Sequence, residues 1–290
     1  MTSGWPLTGI GLRLRQVGGI ALAEAGATTG EPLLFLHGIG SAGCAFDAQL
    51  AYFARERWCI APDAPGYAAS DDDPAIRSMD DLADRWVRLL DELSVRRAIL
   101  IGVSWGGVAA ARVAARHPRR VAALVLADSS RGSGRTPTSA AAMRSRLDDL
   151  SRDGVGAFSA ARAPRLVSPR APAALVERVA HTMERAVRMP GYGQAVEMMA
   201  TTDNTEALRA ITAPTLVLVG ALDAVTPPTE AAALADLIAG ARFCPIADAG
   251  HLANQEQPEV FNQAVGDFLA TTFPAGNQPV SRRHDPERTY

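Results

Sequence analysis

One stretch constrains what this chain can fold into more than any other: "AILIGVSWGGVAAARVAARHP", residues 98–118. An apolar run stops at a glycine, a single serine follows, and an alanine-rich helical pattern starts at once. A strand that becomes a helix without a linker places Ser104 at a very tight corner. Small residues at 102 and 106 are what allow neighbouring elements to pack against such a corner, and its strain lifts the serine hydroxyl clear of the sheet. The helix that follows points its N-terminus, with unpaired N–H groups, at the same place, which favours negative charge there. Gly102-Val103-Ser104-Trp105-Gly106 therefore reads as a nucleophile corner between a buried strand and a helix.

Other segments supply the sheet that such a corner needs. "EPLLFLHG", "WCIAPDAPG", "RVAALVLADSS", "APTLVLVGALD" and "ARFCPIADAGH" each carry a short apolar run. Continuous rather than alternating apolar runs mark strands covered on both faces, as in a parallel sheet. Helical patterns lie between them. In "SMDDLADRWVRLLDELSV", Leu82, Trp86, Leu89, Leu90 and Leu93 recur at helical spacing behind Ser78, a plausible N-cap. The alternation predicts an α/β, doubly wound, mostly parallel sheet. From 129 to 206 the rhythm breaks. "TSAAAMRSRLDDLSRDG", "PAALVERVAHTMERAVRM" and "GYGQAVEMMATT" all read as helices, joined by Pro/Ser connectors, so this region is an all-helical insertion. Residues 1–128 and 207–273 form the α/β core. Residues 274–290 are polar and aperiodic and read as a tail.

The net charge of -2 over 290 residues gives no prior for nucleic acid or an acidic membrane surface. All 29 basic residues are arginine, whose planar fork suits carboxylates. Cys44, Cys59 and Cys244 are too few and too scattered for a disulfide framework or a zinc site, and read as small buried apolar residues. The N-terminus lacks a signal-peptide pattern and no apolar run is long enough to span a membrane, so the default location is cytoplasmic.

A serine hydroxyl needs a base to take its proton. His251, in a glycine-led loop after a strand, fits the order serine, acid, histidine. His117 ends a helix and reads as a C-terminal cap, His284 is in the tail, and His181 faces either a pocket or solvent. Asp223, at the end of "TLVLVGALD", is the favoured acid; Asp128, after "ALVLAD", is the runner-up, and Asp248 reads as loop-shaping. Oxyanion donors are expected from the backbone N–H of Trp105 and, in the glycine-rich "HGIGSAG", from that of Ile39. His37 braces that loop.

"HGIG", "APDAPGYAASD", "GVSWGG", "GALDAVTPP" and "GHLANQEQPE" occur here in the order found in the α/β-hydrolase fold family, and the chain resembles that family over residues 15–270. "PTLVLVGALDAVTPP" and "AGHLANQEQPEVF" look most like 3-oxoadipate enol-lactonases and related ester and lactone hydrolases. The resemblance makes 129–206 a helical cap. It implies an acyl-enzyme mechanism on Ser104, Asp223 and His251, a small-molecule ester or lactone as substrate, and no metal or organic cofactor. Two positions depart from the enol-lactonase pattern: Pro65-Gly66-Tyr67 stands where Arg-Gly-His is frequent, and Trp105 follows the nucleophile. Serine at 104 excludes the aspartate-nucleophile branches. The same triad also serves C–C bond hydrolases of ring-fission products and cofactor-free perhydrolases, and a non-catalytic ligand-binding protein is a further alternative. Substrate choice should come from the cap. Trp105, Phe158 and Tyr192 are candidate pocket walls or packing residues. Arg131, Arg135, Arg185 and Arg188 meet either a substrate carboxylate or solvent. Met143, Met183, Met189, Met198 and Met199 line an adaptable pocket or fill the helical core.

Overall fold

The structure, a computed structural model, describes residues 11–274. The chain runs β1 (Arg13–Val17), β2 (Ile20–Ala25), β3 (Leu33–Leu36), α1 (Asp47–Phe53), β4 (Cys59–Pro62), α2 (Met79–Glu92), β5 (Ala98–Val103), α3 (Trp105–Arg116) and β6 (Val121–Ala127). Four helices follow: α4 (Pro137–Arg162), α5 (Ala173–Ala186), α6 (Gly191–Thr201) and α7 (Thr205–Arg209). The core resumes with β7 (Thr215–Gly220), α8 (Pro228–Leu237), β8 (Arg242–Ile246), α9 (Ala253–Glu256) and α10 (Pro258–Thr272). The eight strands make one sheet in the order β1-β2-β4-β3-β5-β6-β7-β8. The six strands from β4 to β8 in that order are parallel, and β2 runs against both its neighbours.

Each of the six apolar runs is a strand. The β1–β2 hairpin is an addition to the sequence reading. Its outer strand, "RLRQV", is largely exposed and has no apolar run to reveal it. Glu24 on β2 is buried there, held by Arg13 (3.2 Å), Arg15 (3.1 Å) and the Trp58 indole N–H (3.2 Å).

Period-two alternation along the central strands builds two cores. Leu34, Leu36, Leu100, Leu124 and Leu126 face α2 and α3, while Leu33, Phe35, Ile99, Ile101 and Val125 face α1 and α10. Ser78 caps α2 in a reciprocal box with Asp81, satisfying two end donors at once. Leu82, Trp86, Leu89 and Leu90 are buried, whereas Leu93 sits half-buried at the C-cap. Of the cysteines only Cys59 is buried; Cys44 and Cys244 are partly exposed, contrary to the sequence reading.

Between β6 and β7 the chain forms only helix, and it continues to Arg209, past the expected limit of 206. α4 extends further than its sequence pattern suggests. Gly154 (φ 74°, ψ 162°) breaks the helix axis, and a second helical arm ends at Arg162. No helix among the described residues is long and apolar enough to cross a membrane. The expected tail and His284 lie outside the described residues, Pro274 excepted.

Candidate active site

Ser104 joins β5 to α3 with φ 55° and ψ -118°, a left-handed conformation that strains any residue with a Cβ. The corner is as tight as the sequence implies. A Cβ on Gly102 would lie 2.4 Å from the Gly106 carbonyl oxygen, and one on Gly106 would lie 2.0 Å from that of Leu36. Both are contacts with backbone, which cannot swing aside.

The corner presents Ser104 Oγ to His251. The two are joined by a 2.9 Å hydrogen bond to Nε2, and Nδ1 lies 2.8 Å from Asp223 Oδ2. The other carboxylate oxygen of Asp223 accepts the amides of Val225 and Thr226, both at 2.8 Å. Those two bonds fix the carboxylate plane, so Oδ2 has one remaining role: to accept from the imidazole. His251 and Asp223 are buried, 4% and 3% exposed, so water does not compete for these bonds.

Asp128, the runner-up, does not reach the histidine. It is fully buried, accepting the Gly220 amide at 2.8 Å and the Ala253 amide at 3.1 Å. Burial, reinforced by the charge of Asp223, pushes its carboxyl well above the usual range. Asp128 thus ties the end of β7, which leads to Asp223, to the start of α9, which follows His251. Glu256 was missed by the sequence reading although it stands in the quoted "GHLANQEQPE". It accepts the Gly250 amide (2.7 Å) and the Ser168 amide (2.8 Å), pinning the histidine loop to the helical insertion.

Gly38 packs against the nucleophile, its Cβ position 3.9 Å from Ser104 Oγ. The adjoining residue, Ile39, lines the same cavity as Ser104. Trp105 is the first residue of α3, so its amide is among those with no intrahelical partner. His37 braces the loop as expected. Its Nε2 accepts the Ala64 amide at 2.9 Å, which leaves Nδ1 to donate to the Gly38 carbonyl at 2.8 Å. Burial lowers this imidazole to about 4 from 6.5. The folded value lies below the unfolded one, so its contribution to stability is complete above pH 6.5 and is lost as pH falls towards 4. The loss is roughly 3 kcal/mol. Thermal melts between pH 7 and 4 should fall more steeply for wild type than for His37→Gln, whose amide bonds but does not titrate; parallel curves would remove His37 as the cause.

Ser104 and His251 open into a cavity of about 610 Å³ between the sheet and the insertion. Its walls correct several expectations. Trp105, Phe158, Tyr192 and Arg185 are not among its lining residues. The Trp105 indole is 2% exposed and lies against Tyr67 and His37, with ring centres at 5.5 and 6.1 Å. Phe158 and Tyr192 meet edge to face at 5.8 Å inside the helical layer. Arg185 is exposed on α5, and His181, one turn earlier, faces solvent. Arg188 is paired with Asp72 at 2.6 Å. Arg131 and Arg135 do line the cavity, but both are bound to Glu230. Met143, Met183 and Met199 line it, Met198 fills the core, and Met189 is 59% exposed. Arg146 and Arg162, both on α4, line it and were not singled out from sequence. His117 caps α3 and bonds Asp84 at 2.6 Å; Asp248 is paired with Arg170 at the surface.

Comparison with known proteins adds to this geometry. A family model described as "alpha/beta hydrolase fold" matches residues 31–258. The 3-oxoadipate enol-lactonase 2 of Acinetobacter baylyi is 27% identical over 246 residues, covering 84% of this chain and 90% of that protein. The 2-hydroxymuconate semialdehyde hydrolase of Pseudomonas sp. (strain CF600) is 31% identical over 274 residues, covering 86% and 89%. Among solved structures, a thermophilic esterase from Thermogutta terrifontis, malate bound, superposes with a TM-score of 0.78 at 30% identity, covering 90% of this chain and 98% of that one.

Proposed function

The chain belongs to the alpha/beta hydrolase fold family, and on that premise we propose that it is a serine hydrolase cleaving carboxylic esters or lactones through an acyl-enzyme on Ser104. The observation that carries the reading is the hydrogen-bond chain from Ser104 Oγ through His251 to Asp223, opening on a cavity of small-molecule size. Similarity to an enol-lactonase and an esterase points the same way.

His251 Nε2 takes the Ser104 proton as Oγ attacks the carbonyl carbon, while Asp223 steadies the imidazolium through Nδ1–H. The carbonyl oxygen gains negative charge between the amides of Ile39 and Trp105. Collapse of the tetrahedral intermediate breaks the C–O bond, and Nε2–H protonates the departing oxygen. For a lactone that oxygen stays attached to the acyl group. Water, deprotonated by His251, then attacks the acyl-enzyme and frees the serine. The helical insertion covers the site as a cap and supplies the substrate-facing walls.

A fluorophosphonate probe should label the protein at one-to-one stoichiometry, on the peptide carrying Ser104, and abolish hydrolysis of 4-nitrophenyl acetate in step with labelling. Labelling elsewhere, or full activity after labelling, would contradict the reading. The Pseudomonas relative favours a second reading, C–C bond hydrolysis on the same triad. Side-by-side assay on an enol-lactone and a ring-fission dienoate separates the two by kcat/KM.

A further inference from the structure

His251 is bonded at both ends of its ring, to Ser104 at 2.9 Å and to Asp223 at 2.8 Å. A shift of the loop that carries it misaligns both bonds together, and a misplacement of about 1 Å costs roughly 10²-fold in rate. Glu256 holds that loop from the side of the helical insertion. Its Oε1 accepts the amide of Gly250, the residue before the histidine, at 2.7 Å, and its Oε2 accepts the amide of Ser168 at 2.8 Å. Bonds from an amide to a carboxylate are roughly twice as strong as neutral ones. Both donors are backbone, so one side chain fixes two stretches of chain relative to one another.

The second stretch belongs to the insertion. Ser168 lies in the connector between α4 and α5, where the Ala171 amide closes a turn on the Ser168 carbonyl at 3.0 Å. Pro169 occupies the first corner of that turn and is exposed. The connector and the histidine loop meet backbone to backbone: a Cβ on Gly250 would lie 2.5 Å from the Ser168 nitrogen and 2.6 Å from the Val167 carbonyl carbon. Arg170 pairs with Asp248 across the same seam. Two residues before Ser168, Leu166 lines the cavity. The wall that faces the cavity and the loop that carries His251 are thus joined through Glu256.

We propose that Glu256 is a positioning residue, through which the seating of the connector, residues 166–171, sets the alignment of His251. The assignment rests on the serine-hydrolase reading. It gives the helical insertion a part in kcat as well as in the choice of substrate.

Glu256→Gln keeps the size of the side chain but leaves one acceptor for two amides. Well below its melting temperature it should lower kcat for 4-nitrophenyl acetate by about 10–100-fold, with KM within about threefold of wild type. Glu256→Ala should lower kcat as much or more. Pro169→Gly loosens the turn and deletes no hydrogen bond. By itself it should cost about threefold in kcat, and nothing further in the Glu256→Ala background. Unchanged kcat in the Glu256 variants, with only the melting temperature lowered, would make the residue structural and overturn the proposal. Losses from Pro169→Gly and Glu256→Ala that simply multiply would overturn it too. Proton NMR reads the alignment without turnover: the Nδ1–H resonance of His251, held downfield by Asp223, should shift or broaden in Glu256→Gln. That change upholds the positioning role even if wild type hydrolyses no ester, a result that would sink only the hydrolase reading. An unmoved resonance in an active enzyme would sink the positioning role and spare the hydrolase.

Discussion

Ser104→Ala is expected to lower kcat for 4-nitrophenyl ester hydrolysis by about 10⁴–10⁶-fold while moving the melting temperature by only a few degrees. The two halves of that expectation have separate causes. Alanine keeps the Cβ, so the left-handed backbone at 104 and the packing of Gly102 and Gly106 are unchanged. What disappears is the one atom that His251 Nε2 contacts at 2.9 Å. The remaining rate would come from the amides around the oxyanion and from binding alone. Activity within tenfold of wild type would remove Ser104 from the chemistry. Loss of activity with a collapsed melting transition would instead mean that the corner had come apart, so circular dichroism belongs beside the kinetics.

The second large effect separates two buried aspartates. Asp223→Asn should cost about 10⁴ in kcat. With Val225 and Thr226 still donating to the acceptor oxygen, the amide NH₂ is forced to face His251 Nδ1. Two donors cannot pair, so the imidazole adopts the tautomer with its proton on Nε2, facing Ser104, and no base remains. Asp128→Asn should behave differently. One of its oxygens, each now accepting a backbone amide, becomes a donor facing a donor, which costs stability. Its kcat should stay within about tenfold, since it makes no bond to His251. Reversal of this pattern would make Asp128 the working acid.

The candidate site was legible because its signals are local. Gly102-x-Ser104-x-Gly106 lies between an apolar run and a helix, and Asp223 and His251 each follow a strand end, so strand order alone brings them together. Asp223 is already favoured over Asp128 from sequence although both follow buried strands, and the structure sets them apart by which way each carboxylate turns. β1 escaped notice because an exposed edge strand needs no apolar run, and β2, though buried, has its apolar run broken by Glu24. Pocket walls were read less well for a related reason. Helical periodicity says that one face is buried, without saying whether it meets protein or cavity. Tyr192 and Phe158 turned to each other, and the Trp105 indole went beneath the corner. Arg131 met Glu230, a residue 99 positions further along. Arg146 and Arg162 look like ordinary surface charges on a polar helix until the fold places them on the wall of the cavity that Ser104 also lines.

That placement depends on the break in α4. Sixteen residues of unbroken helix would set Arg146 and Arg162 about 24 Å apart, too far for one small molecule to touch both. Gly154 interrupts the rise at φ 74° and ψ 162°, a conformation essentially reserved for glycine, yet a Cβ there would meet nothing within 4 Å. Open space lies beside this position, and it is not among the residues that line the cavity. The course of this stretch of cavity wall is in this sense written into one backbone torsion. A change at residue 154 would redirect the second arm of α4, and with it that wall, without altering a single atom of Ser104, Asp223 or His251.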